Sequence, residues 1–443
     1  MRRDKAVARM ILRRIARNAG WSLSAQMIGA GLGIVSLGLA AHALGAAGLG
    51  VLAIVQAYAR IVDRLCRLEP WQAVIKHGIA ALDGGDPARF RRLVKASMLV
   101  DMASNLLSGG TTLLLAFFAA SLLNLPEGGG SYLAVLAVGM FFTLRPTGLA
   151  VLRIYDRFDL LAKLDVSVAT GRLLLSLAAY LAGGGIWAFV LIALLESMAN
   201  GFLPIVIAGR QLRLRGHDGV LRVPLAGVLA ENPGLLRLLW NSNLNVMLRQ
   251  TTQRMDVVIL ALFVTPAQIG YFHVARRVAD VSLKFSGPLI QAIYPELSRL
   301  WAAAQTARFL RLIRIASAIV ALPCLLALIP VSMVMPDLLA FTLGADFRAA
   351  SQIVIVQMVA VFIYMSASTL SAGLLAMGRD RELVRVTMVG SVIFLLSIAP
   401  LVMMLGAVGA SVAHVLFNGI LAAGFLRQVM GALRPVAAQR QFA

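Results

Sequence analysis

The residues with chemical potential in this chain are basic, and they sit where the surrounding sequence is apolar. Ten of its 41 Lys and Arg residues fall inside long hydrophobic stretches: Arg60, Arg64, Arg67, Arg145, Arg172, Arg249, Arg254, Arg276, Arg277 and Lys284. Gln56, Arg60, Asp63, Arg64 and Arg67 recur at i, i+4, i+7, i+8 and i+11, which is one face of a helix. Asn241, Asn245, Arg249, Thr252 and Asp256 form a second such face, and Arg276, Asp280 and Lys284 follow at steps of four. An Arg at the centre of a membrane helix costs about 2.5–3.5 kcal/mol on insertion scales, so these faces must look onto water or a partner. A face richer in Arg than in acid attracts anions, and the planar guanidinium fork suits phosphate. Arg60, Arg64, Arg145, Arg249 and Arg276 are therefore the candidate ligands of an anionic substrate. Gln26, Gln56, Asn241 and Asn245 add neutral polar groups suited to hydroxyl-rich cargo. The acids Asp63, Asp256 and Asp280 have two readings. They could couple ion or proton movement, or they neutralise nearby Arg and Lys, since Asp63–Arg67 and Asp280–Lys284 are i,i+4 pairs. Arg67 and Lys284 also read as side chains snorkelling to headgroups, and Arg172 as an ion-pair partner of Glu196.

The elements that carry these faces follow from composition. Of the 443 residues, 60% are apolar and 14% charged, with a mean hydropathy of +0.84. Soluble domains run about 45–50% apolar and roughly 25% charged, so a water-soluble enzyme is excluded. Apolar runs long enough to cross a bilayer lie near 18–41, 48–69, 97–123, 132–153, 163–183 and 186–208. Six more lie near 235–263, 268–291, 313–335, 352–377, 384–404 and 407–427. The expectation is an all-α polytopic membrane protein with twelve transmembrane helices. The Arg-rich start followed by an apolar run and Ala41-His42-Ala43 imitates a signal peptide, but Gly20–Ala41 exceeds the usual core of about 7–15 residues. It reads as an uncleaved first span.

A net charge of +21 on a soluble chain would point to nucleic acid; here it reports topology. With the N-terminus placed in the cytoplasm, alternate connections hold thirty Lys and Arg residues, and the opposite ones hold only Arg348. One missed span would invert every later loop, so this asymmetry places both termini in the cytoplasm. Two cysteines and five scattered histidines build neither a disulfide scaffold nor a metal site, and no cofactor motif is present. The longest outside connection, near 336–351, carries Asp337, Asp346 and Arg348, too little for an enzyme's catalytic site.

An internal repeat divides the chain. The segment from Ala88 to Lys95 recurs from Ala307 to Arg314, and the same shift of 219 superposes Trp21 on Trp240. One residue further, Gly50 falls on Gly270. Six spans per half is an even number, so the repeat is parallel, as in some secondary transporters that bind substrate between their halves. The expected organisation is a six-helix lobe over 1–208, a cytoplasmic linker over 209–234, and a second six-helix lobe over 235–443.

Several short patterns resemble a known family. Asn18…Trp21…Gln26, Leu44-Gly45…Gly48…Gly50, Gln56-Ala57-Tyr58, Gly85-Asp86…Phe90 and Tyr294-Pro295-Glu296-Leu297 are similar to the oligosaccharide flippases of the MOP superfamily. That resemblance implies a MOP/MATE-like fold in the bacterial inner membrane. It implies a non-enzymatic flippase that moves a polyprenyl-diphosphate-linked oligosaccharide by alternating access, for surface polysaccharide biosynthesis. The implied partners are the lipid-linked oligosaccharide, the bilayer and other polysaccharide-assembly proteins, with no nucleic acid. The alternatives are a multidrug or cation exporter of the same superfamily, which would need acidic residues in its pocket, and a membrane-embedded polysaccharide polymerase or ligase.

Overall fold

A computed structural model describes residues 2–118, 125, 127–283 and 286–441. Side chains at 2–16, 241–242, 244–254, 286–292, 320, 323–324, 327 and 434–441 lie outside that description. The described residues form helices and turns, with no strand among them. In the first half of the chain these are α1 (Arg2–Cys66), α2 (Trp71–Asp83), α3 (Pro87–Phe118), α4 (Gly129–Met140), α5 (Arg145–Ile154), α6 (Phe158–Leu181) and α7 (Ile186–Leu214). A short α8 (Val228–Glu231) precedes α9 (Leu235–Phe263), α10 (Pro266–Leu283) and α11 (Ser286–Ala302). The chain ends with α12 (Thr306–Leu343), α13 (Ser351–Ala376), α14 (Asp380–Leu405) and α15 (Ala407–Gln441).

Eight helical stretches among the described residues are long and apolar enough to cross a membrane, against twelve spans expected from the sequence. Part of the difference is how α1 is divided. Its stretch Arg17–Cys66 counts as one, yet its 50 residues would extend about 75 Å, more than twice the hydrocarbon thickness. Inside it Gly45 leaves helical geometry at φ 64°, ψ −177°, a conformation open to glycine because it lacks a Cβ. The expected fourth span is a single stretch, Gly129–Ile154, but consists of two half-helices, α4 and α5.

The chain separates into two compact units. The first comprises Met1–Ala43 and Ile54–Met255, the second Leu44–Ala53 and Asp256–Ala443. In the first unit α3 lies along α4, while α5 and α6 pack on α7 and α2 on α3 and α5. Phe90, Val94, Val151, Leu152, Ala208 and Leu212 make the core at one end of this bundle. Tyr155 closes that core and hydrogen-bonds His217 at 2.6 Å. Burial pushes the Tyr155 phenol up to about 12, and burial with Arg91 and Arg215 holds His217 below its usual range. Both groups are therefore uncharged near neutral pH.

The break between α4 and α5 frees backbone groups at a depth where water is scarce, and side chains from other helices take them up. Asp101, fully buried on α3, accepts the Thr147 N–H at 3.0 Å and so caps α5 from outside. Arg67 Nη1 donates to the Thr143 carbonyl and Asn105 Nδ2 to that of Phe141, each at 3.4 Å. The Gly201 carbonyl accepts Leu144 N–H at 3.0 Å. Arg67 is thus buried and committed to this junction rather than snorkelling, because the freed carbonyls draw it inward.

In the second unit α13 is the central helix, packed by α10, α11, α12 and α15. The segment Leu44–Ala53 reaches α10 so closely that two glycines are required. A Cβ on Gly50 would stand 1.7 Å from the Pro266 carbonyl oxygen, and one on Gly270 would stand 2.2 Å from that of Ala46. The contact is reciprocal, since positions 46 and 50 meet 266 and 270 at one offset of 220 residues.

Two outcomes follow from this packing. Gly50→Val and Gly270→Val each overpack the backbone contact and cost about 1–3 kcal/mol or more, whereas Gly110→Ala is neutral, because a Cβ at Gly110 meets nothing within 4 Å. Asp101→Ala leaves the Thr147 N–H unpaired and costs about 1–3 kcal/mol. Thermal unfolding of the purified variants in detergent measures both.

Candidate functional site

The first unit gathers its charges around the end of α1. There, the helical face predicted from spacing is present, but its members have different employment. Arg60 is exposed and its Nη1 donates to Gln56 Oε1 at 3.1 Å. Arg67 Nε donates to both oxygens of Asp63 at 2.9 and 3.0 Å, and its Nη1 reaches Asn105 Oδ1 at 3.0 Å. Asp63 thus pairs with Arg67 across the i,i+4 spacing. Arg64 pairs with Glu69, in the turn after the helix, at 2.8 Å.

Arg145 begins α5, immediately after the break, and extends away from the backbone junction. Its Nη2 pairs with Asp165 of α6 at 3.0 Å and its Nη1 donates to Asn200 Oδ1 of α7 at 2.9 Å. Arg153 lies about two turns further on, stacked over the Trp71 ring at 4.6 Å. It is close enough to Arg145, Asp165 and Glu69 to feel their charges. These contacts join Arg64, Arg145 and Arg153 with Glu69 and Asp165 into one cluster with a formal surplus of one positive charge. The cluster is only partly covered by the protein: Arg64 and Arg145 side chains are 28% and 30% exposed, and Asp165 is 44% exposed. Arg172 of α6 pairs with Glu196 of α7 at 3.1 Å.

Glu69, Arg153, Asp165 and Asn200 escaped the sequence reading. Arg153 and Asp165 flank the connection near 154–163 and counted as loop and helix-end residues, although α5 and α6 bring both back beside Arg145. Gln26 is exposed on the first half of α1.

The second unit holds a different arrangement. Asp256 is almost fully enclosed, and its Oδ2 is 3.3 Å from Arg276 Nε and 3.1 Å from His414 Nε2. Its Oδ1 accepts the Val257 N–H at 2.8 Å. The His414 ring is stacked with Phe272 and tilted against Phe394 at 4.9 Å. Arg276 therefore spends its charge on an internal carboxylate, with only 16% of its side chain exposed. No spacing rule reveals His414, which comes from α15, 138 residues beyond Arg276. Asp280 is half-buried one turn beyond Arg276. The side chains of Asn241, Asn245, Arg249 and Lys284 lie outside the described residues. Among the described residues no group of His, Cys, Asp and Glu is arranged to hold a metal ion.

Comparison with known proteins gives this geometry a context. The inner membrane protein YghQ of Escherichia coli is 28% identical over 293 residues, covering 65% of this chain and 81% of that protein. Agl15 of Haloferax volcanii, described as a probable low-salt glycan biosynthesis flippase, is 25% identical over 179 residues, covering 39% of this chain and 37% of its own. Among solved structures, an inward-facing multidrug resistance MATE family transporter of the MOP superfamily aligns with a TM-score of 0.67 at 15% identity, covering 94% of this chain and 96% of its own. The lipid II flippase MurJ in an inward closed conformation also gives 0.67, at 12% identity, covering 94% and 87%. At such identities the structures show the fold alone, a multi-helix arrangement shared with these transporters. Residues 94–352 match the family model described as polysaccharide biosynthesis protein, and since that match spans more than half of the chain, the chain belongs to this family.

Proposed function

We propose that this protein is a flippase that carries a polyprenyl-diphosphate-linked oligosaccharide across the inner membrane by alternating access, for surface polysaccharide biosynthesis. The observation that carries the reading is the partly exposed cluster of Arg64, Arg145 and Arg153, whose positive charge exceeds that of Glu69 and Asp165. A diphosphate offers these guanidinium forks more charge and more acceptor oxygens than the carboxylates they now hold. Arg60, exposed at the edge of the same helix face, extends the cationic surface, and Gln26, Gln56, Asn241, Asn245 and Arg249 serve the sugar and phosphate. Arg276 contributes to charge balance with Asp256, and Asp63, Asp256 and Asp280 are the residues through which an ion would be coupled. The reading includes twelve spans in two six-helix lobes at 1–208 and 235–443, a linker at 209–234, both termini in the cytoplasm and no catalysis.

Family membership, the flippase among the relatives and the reciprocal approach of Gly50 and Gly270 support it. Residues at equivalent places of a parallel repeat meet in this reciprocal way near their symmetry axis. A cation exporter of the same fold is the competing reading, and the pairing of Asp63, Glu69, Asp165 and Asp256 with arginines disfavours it.

Leaflet exchange of a polyprenyl-diphosphate oligosaccharide by protein reconstituted in vesicles tests the proposal. Arg64→Gln and Arg145→Gln each lower exchange roughly tenfold, the value of one charge-assisted hydrogen bond. Arg299→Gln, in an exposed pair with Glu296, leaves exchange near wild type. Undiminished exchange by properly inserted Arg64→Gln and Arg145→Gln proteins overturns the assignment.

A further inference from the structure

The connection from α7 to α9 turns apolar side chains outward. Leu214, Leu221, Leu225 and Leu229 are 77%, 70%, 40% and 55% exposed, in a stretch that also carries exposed Arg213 and Arg222. This is not a loose loop whose leucines could turn inward. Lys95 Nζ donates to the carbonyls of Leu221 and Val223 at 2.9 and 2.8 Å, and Arg91 Nη1 to that of Asp218 at 3.2 Å. Arg92 grips both oxygens of Glu231 at 2.9 and 2.7 Å, and Arg89 Nε reaches Asn232 Oδ1 at 3.1 Å. At the start of the segment, Arg215 lies over the Tyr155 ring at 4.3 Å. The first two turns of α3 therefore hold the segment in one shape, with its leucines displayed.

The level at which it is held says what they meet. Lys95 is the last basic residue of α3, and from Ala96 to Phe118 the helix carries no charge except the buried Asp101. That run extends about 34 Å, close to the thickness of the hydrocarbon core, so Lys95 stands at the boundary between acyl chains and headgroups. Leu221 and Val223, bonded to Lys95, share that boundary. Leu214 likewise closes α7, a 29-residue helix longer than a span needs, whose last turns expose Arg210 and Arg213. Outward leucines interleaved with arginines at headgroup level are the composition of a segment lying in a membrane interface.

We propose that residues 214–229 form an interfacial anchor, seating Leu214, Leu221, Leu225 and Leu229 in the adjacent leaflet while Arg213 and Arg222 meet anionic headgroups. The anchor is independent of the transported substrate.

Nitroxide labels at single cysteines test it in the full chain, with Cys66 and Cys324 replaced by Ser and the protein reconstituted in phosphatidylethanolamine–phosphatidylglycerol vesicles. Labels are placed by Asp218→Cys, Leu221→Cys, Leu225→Cys and Leu229→Cys, all at exposed positions. Collision with oxygen, which concentrates in lipid, is compared with collision with a water-soluble nickel chelate. The expected oxygen-to-nickel ratio is several-fold higher at 221, 225 and 229 than at 218. Equal ratios at all four positions overturn the proposal by placing the leucines in water. Shielding of 221, 225 and 229 from both reagents also overturns it, by revealing a protein or a second copy as the cover.

Discussion

A polar group inside a bilayer must find its partner within the protein, and this requirement organises the molecule more than any single packing contact. It is clearest at the interruption between α4 and α5. The chain unwinds over four residues, and Asp101, Asn105, Arg67 and the Gly201 carbonyl each answer one exposed backbone group. Arg67 is itself stabilised by Asp63, so the junction extends to the end of α1. With the break satisfied in this way, α5 can begin with Arg145 directed at Asp165 and Asn200. The position of the cationic cluster is thus a consequence of how a broken helix is repaired.

The same requirement separates the two concentrations of charge. In the first unit, the pairs of Arg64 and Arg145 are partly exposed, where a carboxylate partner is held by a modest margin and can be exchanged. In the second unit, Asp256 is buried and paired with Arg276 and with His414, whose ring packs against two aromatic rings. Removing either charge there would strand the other in a poorly solvated place, so the triad is built to stay together. One assembly is suited to trading partners and the other to holding them.

How far residue spacing could disclose this is instructive. Apolar run length marked the eight stretches that, among the described residues, are long and apolar enough to cross a bilayer, because crossing imposes a minimum length on each. Helical periodicity also exposed the face of Gln56, Arg60, Asp63, Arg64 and Arg67, since all five lie on one element. It did not show that Arg67 turns inward, because the carbonyl it serves belongs to Thr143, 76 positions away. Arg153 and Asp165 lie near the ends of helices, and only the packing of α5 and α6 brings them to Arg145. His414 was unreachable from pattern, as was the short distance between Gly50 and Gly270, although their common offset had marked them as equivalent. What remained hidden was in each case a contact between distant segments, which local periodicity does not encode.

If the proposed flippase holds a diphosphate in its cationic cluster, binding is the decisive quantity. Full-length protein in lipid nanodiscs can be titrated with three ligands that share one polyprenyl chain: the diphosphate, the monophosphate and the free alcohol. Selective phosphate recognition predicts that the diphosphate binds best and the alcohol at least about tenfold more weakly, with the difference shrinking as salt is raised. Equal affinity for all three, unchanged by salt, would contradict it.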